Sequence, residues 1–353
     1  MKAIRVLVVD DSPTARGLLV GILRSGSGFV VVGEAADGWR AVEMATLLRP
    51  DVIVMDILMP GLDGYEATRQ IMASAPVPIV LVTASAGARE VSFSLNALRI
   101  GAVAVLPKPV GPSSEGFSGA ADELVWTVRA MASVKVVRLY TSALRRDLPA
   151  GPKALPDIRF RSATRRIVAM AASTGGPAAL CQVLSSLPGD FAAPILVVQH
   201  ISAGFTEGLV EWLSASCKLR AKVAESREPL EPGVIYVAPE ERHLGAEGHA
   251  ILVSDAPPVA GFRPSATFLF ESVAASRGQD VVAAILTGMG EDGVEGLRAV
   301  RRAGGWVLAQ DEATSVVFGM PGAAIAAGCA DAVVPLDAIH EHLLEAVGRR
   351  GIA

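Results

Sequence analysis

What most constrains this chain is an alternation repeated along its whole length: short, continuous runs of β-branched and apolar residues, separated by stretches with helical spacing. The first five runs are Val6–Val9, Val30–Val32, Val52–Met55, Ile79–Val82 and Val103–Leu106. A strand with one wet face alternates apolar and polar residues. A strand apolar at every position is buried on both faces, which calls for a parallel sheet with helices on each side. The pattern resumes at Ile167–Ala172, Ile195–Val198, Val234–Val237, Val281–Leu286, Trp306–Ala309 and Ala332–Val334. The expected fold class is therefore α/β, with two doubly wound parallel-sheet domains in tandem.

Between the two series the periodicity lapses. Arg138, Arg145, Arg146, Lys153, Arg159, Arg161, Arg165 and Arg166 are interspersed with Pro149, Gly151, Pro152 and Pro156, the composition of a solvated connector. The expected division is a first domain over residues 1–130, a linker over 131–164 and a second domain over 165–353. At 353 residues and 51% hydrophobic, the chain has material for two cores. A net charge of -4 provides no general attraction for nucleic acid, and no apolar run approaches the ~20 residues of a membrane span. Strand-like sequence begins within the first residues with no signal-peptide cleavage site, so the expected location is cytoplasmic. Cys181, Cys217 and Cys329 are far apart and form no CxxC pair, which points to core residues rather than disulfides or a thiolate metal site.

Parallel α/β sheets bind ligands beyond the carboxyl ends of their strands. In the first domain that edge collects Asp10 and Asp11 after the first strand, Asp56 after the third, Thr83 after the fourth and Lys108 just past the fifth. A single Asp at such a junction commonly caps a helix. Three carboxylates converging from different strands repel one another unless a hard cation such as Mg²⁺ joins them. The segments Val8-Val9-Asp10-Asp11-Ser12, Val54-Met55-Asp56-Ile57-Leu58-Met59-Pro60-Gly61-Leu62-Asp63-Gly64, Val82-Thr83-Ala84 and Lys108-Pro109 resemble a flavodoxin-like (βα)5 two-component receiver domain. The resemblance implies that Asp56 accepts a phosphoryl group from a histidine kinase. It also implies that Asp10 and Asp11 hold Mg²⁺ with Asp56 and the Leu58 carbonyl, and that Thr83 and Lys108 contact the phosphoryl oxygens. Receivers usually carry an aromatic three residues before the lysine; Val105 stands there in this chain.

In the second domain, Ala171-Ala172-Ser173-Thr174-Gly175-Gly176-Pro177 joins a strand to a helix, leaving Ser173 either to cap that helix or to act as a nucleophile at the sheet edge. A nucleophilic serine needs a base and an orienting acid. His200 closes the strand beginning at Ile195 and shares the edge of Ser173. His243 is a second possibility, whereas His249 falls in a loop and His340 and His342 lie on a C-terminal helix. Asp292, in Thr287-Gly288-Met289-Gly290-Glu291-Asp292-Gly293, is the candidate acid, with Glu291 as its competitor and a helix N-terminus as the alternative role for either. The order Ser, His, Asp differs from that of the α/β-hydrolases.

Those segments, with Val198-Gln199-His200, Phe262-Arg263-Pro264-Ser265 and Val317-Phe318-Gly319-Met320-Pro321-Gly322-Ala323, resemble the methylesterase domain of the CheB family. The resemblance implies a second α/β domain that hydrolyses γ-glutamyl methyl esters on methylated chemoreceptors, releases methanol and also deamidates receptor glutamines. It implies Ser173 as nucleophile, His200 as base and Asp292 as its partner, with the Met289 backbone N–H and Thr174 serving the oxyanion. A CheA-type histidine kinase is the implied phosphodonor, and Mg²⁺ is required at the receiver alone. Two segments depart from the family pattern: Ile201-Ser202-Ala203 replaces the usual Met-Pro after the histidine, and Gly322 stands where a basic residue is common. Covering of the Ser173 edge by the unphosphorylated receiver is a further expectation. A DNA-binding output is the rival from another class, but residues 165–353 carry no helix-turn-helix pattern or basic recognition helix. A phosphorylation-controlled chemosensory scaffold with a vestigial triad is the other.

Overall fold

The computed structural model describes residues 3–84, 91, 95, 98, 102, 104–114, 116–132, 134 and 167–348. The basic Arg138–Arg166 segment lies outside them.

The first sheet is built from β1 (Ile4–Val9), β2 (Phe29–Ala35), β3 (Val52–Asp56), β4 (Ile79–Thr83) and β5 (Ala104–Pro107), in the order β2-β1-β3-β4-β5 and parallel throughout. Side-chain alternation divides each strand between two cores: Leu7 and Val9 pack with Ile53, Met55, Ile79 and Leu81, and Val6 and Val8 pack with Val52, Val54, Val80 and Val82. Helices α1 (Pro13–Ser25), α2 (Gly38–Leu48), α3 (Gly64–Ser74) and α4 (Phe117–Met131) cover the faces. Ser12, Asp37 and Asp63 cap the first three, each side chain accepting a backbone N–H of the first turn. None of Asp10, Asp11 and Asp56 is a helix N-cap.

The second sheet contains β6 (Ile167–Ala172), β7 (Ile195–Gln199), β8 (Arg220–Val223), β9 (Val234–Val237), β12 (Val281–Ile285), β13 (Trp306–Gln310) and β14 (Ala332–Val334). Its order is β14-β13-β12-β6-β7-β9-β8, again parallel. The intervening β10 (His243–Glu247) and β11 (Ala250–Ser254) form a separate antiparallel hairpin. Helices α5 (Gly176–Ser185), α6 (Thr206–Ser216), α7 (Ala266–Arg277), α8 (Val294–Arg302), α9 (Met320–Ala326) and α10 (Ile339–Val347) complete the layers. The chain leaves β6 toward β7 on one side and leaves β12 toward β13 on the other. The strand order therefore reverses between β6 and β12, which opens a crevice at their carboxyl ends.

Two features escaped the apolar-run reading. The edge strand β8 is Arg-Ala-Lys-Val, polar where it meets solvent. In the β10–β11 hairpin, β11 alternates buried and half-buried positions, while β10 carries His243 and Gly245 among its buried residues. Helix α8 begins at Val294, where Gly293 at φ 103° sets its start.

The first unit packs against the second through residues between β4 and β5. Val91 and Leu95 are buried in the same cluster as Leu180, Phe205 and Leu209, and Val316 and Val317 pack back onto the receiver core. No described helix is long and apolar enough to cross a membrane.

Candidate active site and acidic cluster

Three connections at the carboxyl edge of the second sheet build the crevice. Ser173 follows β6, and Gly175, at φ 78°, is the N-cap of α5 without any side-chain capping bond. The hydroxyl of Ser173 thus caps no helix and makes no hydrogen bond among the described residues. Its backbone is held from two sides: its N–H donates to Thr287 O at 3.0 Å, and its carbonyl accepts from Gln199 Nε2 at 2.8 Å. The same Gln199 Nε2 donates to His200 O at 2.7 Å, so one buried amide ties the ends of β6 and β7 together.

The buried Thr287 ties in the third connection. Its hydroxyl donates to Thr174 O at 2.9 Å and accepts from Val317 N–H at 2.9 Å, and its own N–H donates to Gln310 Oε1 at 2.7 Å. Gly288 is required by close approach, since a Cβ there would lie 2.8 Å from Ser173 Cβ and 2.5 Å from Met320 Sδ. Among the described residues neither the Thr174 N–H nor the Met289 N–H donates to an acceptor.

His200 Nε2 lies 3.0 Å from Asp292 Oδ2. Asp292 is buried and accepts three more hydrogen bonds: Ser265 Oγ at 2.9 Å and Thr267 N–H at 3.0 Å on Oδ1, and Ala266 N–H at 2.7 Å on Oδ2. Burial pushes this carboxyl up, but the bonds from His200, Thr267 and Ala266 outweigh it and hold it at about 2. An ionised carboxylate accepting from Nε2 places the proton of neutral imidazole on Nε2 and leaves the Nδ1 lone pair free. Nδ1 is buried and has no partner.

Asp292 therefore also serves a helix N-terminus, that of α7 rather than the α8 that follows it in sequence. The helix supplies the unpaired N–H groups that charge the carboxylate. Ser265, Ala266 and Thr267 were not assigned roles from sequence; the quoted Phe262-Arg263-Pro264-Ser265 motif was the available signal. The competitor Glu291 is exposed. His243 is occupied elsewhere: Nδ1 accepts from Ser265 N–H at 3.2 Å, Nε2 is 3.1 Å from Pro257 O, and the ring stacks on Phe268. His249 sits in the β10–β11 turn, His340 and His342 lie on α10, and none of the three lines the cavity that Ser173 and His200 line.

A cavity of about 290 Å³ separates this crevice from the receiver. Ser173, Thr174, His200 and Phe262 line one side, and Leu95, Val105, Glu123 and Trp126 line the other. Ser202 Oγ donates to Glu123 Oε1 at 2.8 Å across the gap.

At the receiver's carboxyl edge, Asp10, Asp11 and Asp56 each place a carboxylate oxygen within 4.8 Å of the others. Lys108 Nζ is 2.8 Å from Asp10 Oδ2 and 2.7 Å from Asp56 Oδ2. Burial pushes the Asp56 carboxyl above its ordinary range against the pull of Lys108. Three carboxylates facing one ammonium leave negative charge in excess, and the all-oxygen donor set with Asp11 open to water fits a hard divalent cation. Thr83, buried at the end of β4, accepts the Lys108 N–H on its carbonyl at 2.8 Å.

Residues 168–343 match the family model described as CheB methylesterase, and residues 6–114 match that of the response regulator receiver domain. A protein-glutamate methylesterase/protein-glutamine glutaminase of Anaeromyxobacter dehalogenans is 54% identical over 96% of this chain and 98% of its own length. One from Myxococcus xanthus is 52% identical over 97% of each chain. The crystal structure of the Thermotoga maritima CheB methylesterase catalytic domain is 40% identical over 52% of this chain and 98% of that one, with a TM-score of 0.50. With a receiver sheet joined to a serine–histidine–aspartate crevice and full-length relatives at this identity, the chain belongs to the CheB methylesterase family.

Proposed function

We propose that this chain removes methyl groups from γ-glutamyl methyl esters of chemoreceptors, releasing methanol, and that phosphorylation of its receiver accelerates the reaction. The observation that carries this reading is the His200–Asp292 pair, 3.0 Å apart, on the same sheet edge as an uncapped serine, with His200 Nδ1 unpartnered.

The ester carbonyl is attacked by Ser173 Oγ as its proton passes to His200 Nδ1. The developing imidazolium is stabilised by the ionised Asp292 at Nε2, and the oxyanion takes hydrogen bonds from the Thr174 and Met289 N–H groups. On collapse, the methoxy oxygen takes the proton from Nδ1 and leaves as methanol. Water, losing a proton to His200 Nδ1, then attacks the acyl carbon; the bond to Ser173 Oγ breaks, Oγ takes that proton back, and the glutamate carboxylate is released. A primary amide enters the same sequence with ammonia as leaving group, so the site also supports deamidation of receptor glutamines. No step requires a metal at the triad.

At the receiver, Asp56 is the phosphoryl acceptor, with a CheA-type histidine kinase as donor. Asp10, Asp11 and Asp56, with the Leu58 carbonyl, would hold Mg²⁺, which supplies charge neutralisation to the incoming phosphoryl group. Lys108 and Thr83 contact its oxygens, and Lys108 exchanges carboxylate partners for phosphoryl ones. The unphosphorylated arrangement leaves about 290 Å³ between receiver and triad, too confined for a receptor helix roughly 10 Å across. Activation therefore shifts the population toward an open arrangement.

The experiment is methanol release from methylated receptor membranes with and without a small phosphodonor. Release that rises with phosphodonor and vanishes in Ser173→Ala is the expected result. Retention of activity by that variant would sink the triad, and an inactive wild-type protein would favour a regulated scaffold.

A further inference from the structure

We propose that Phe262 is a positioning residue for the His200 base, fixing the plane of the imidazole so that Nδ1 stays directed into the crevice. The inference rests on the esterase reading above and adds a residue to it. The Phe262 ring lies parallel to the imidazole, centroids 4.4 Å apart and planes 9° from each other. Asp292 grips the imidazole at one atom only, and a planar ring held at one nitrogen still pivots about that bond, because rotation about the terminal torsion of histidine is soft. A second flat ring stacked on one face removes that freedom.

The surrounding chain is built to present the ring. Val259 and Phe262 exchange both backbone hydrogen bonds, at 3.0 and 2.9 Å, around Ala260 at φ 50° and Gly261 at φ 87°. Two consecutive positive-φ residues make the tight turn whose twist suits a two-residue hairpin, and Ala260 occupies the left-handed region despite its side chain. Three residues on, Ser265, Ala266 and Thr267 hold Asp292. One segment of six residues therefore orients both partners, the imidazole plane through residue 262 and the carboxylate through 265–267. A phenylalanine placed only to fill the core would be buried, yet Phe262 is 36% exposed and lines the cavity beside the His200 ring on which it stacks.

The test uses the full-length protein. Phe262→Leu keeps the apolar bulk and loses the flat face, whereas Phe262→Tyr keeps the face. Methanol release should show kcat lowered roughly 10- to 100-fold in Phe262→Leu, the penalty for a slightly misdirected base, with KM and melting temperature near wild type, and kcat recovered in Phe262→Tyr. Histidine-labelled protein gives a readout independent of activity. The ring protons of His200, assigned by their disappearance in His200→Gln, should be shifted upfield by the stacked ring in wild type and Phe262→Tyr and should lose that shift in Phe262→Leu. Wild-type kcat in Phe262→Leu, equal impairment in Phe262→Tyr, or no ring-current shift in wild type would overturn the proposal. An inactive wild-type protein whose shift is present and is lost in Phe262→Leu would overturn the esterase reading while supporting the positioning of the ring.

Discussion

Replacing Asp292 by Asn separates the two jobs of that carboxylate. Each oxygen accepts two hydrogen bonds, so the amide nitrogen of Asn must face two donors whichever way it is turned. Turned toward His200, the amide donates to Nε2, shifts the imidazole proton to Nδ1 and removes the lone pair that takes the serine proton. The expected loss in kcat is on the order of 10⁴-fold, the scale of a wrong-tautomer base. The stability cost follows from ionisation. A carboxyl held at about 2 against 3.8 stabilises the folded chain by about 2 kcal/mol at neutral pH. That stabilisation is complete above the unfolded value and is lost as pH falls through 2. The Asn variant should therefore melt on the order of 4–8 °C lower at pH 7, with the gap closing as pH falls below about 4. Thermal melts across pH 2–7, paired with methanol release at pH 7, measure both. Turnover within tenfold of wild type, or a melting gap independent of pH, would refute the assignment of Asp292 as an ionised, tautomer-setting acceptor.

Gly288→Ala should destabilise the chain by about 1–3 kcal/mol through overpacking and lower kcat, because the new methyl meets Met320 Sδ at 2.5 Å and Ser173 Cβ at 2.8 Å; denaturant melts and steady-state rates check it. Asp56→Asn, or chelation of divalent cations, should remove the increment in methanol release produced by a small phosphodonor, and phosphoprotein gels should show no label. Ser202→Ala cuts the bond to Glu123 across the cavity. If that bond contributes about 1 kcal/mol to the covered arrangement, release by the unphosphorylated variant should rise up to about fivefold, and an unaltered basal rate would show that the bond does not hold the receiver down.

The absence of an aromatic at Val105 gains meaning from where the residue lies. Val105 lines the cavity that Ser173 also lines, with Leu95 and Trp126 beside it. Pairing of Leu81 with Val105 and of Thr83 with Pro107 connects this stretch of β5 to the end of β4, where Thr83 would contact a phosphoryl oxygen.

The strands, their parallel pairing and the acidic edge of the receiver were legible in the sequence because they depend on local chemistry. Every position of a strand buried on both faces must be apolar, and the loops after β1, β3, β4 and β5 necessarily emerge on one edge. The same rule placed Ser173, His200 and Asp292 together, since they follow three strands adjacent in the sheet. Tertiary structure removed the alternative that the sequence left open: His243 is as polar and as close to a strand as His200, and only packing commits it to Ser265 and Pro257. It alone showed that Asp292 is charged by the N-terminus of α7, a helix preceding it by about 25 residues, and that Phe262 lies on the imidazole. Contacts between segments far apart in sequence leave no periodicity behind, because they depend on where the turns aim the chain and not on what any single segment prefers to be.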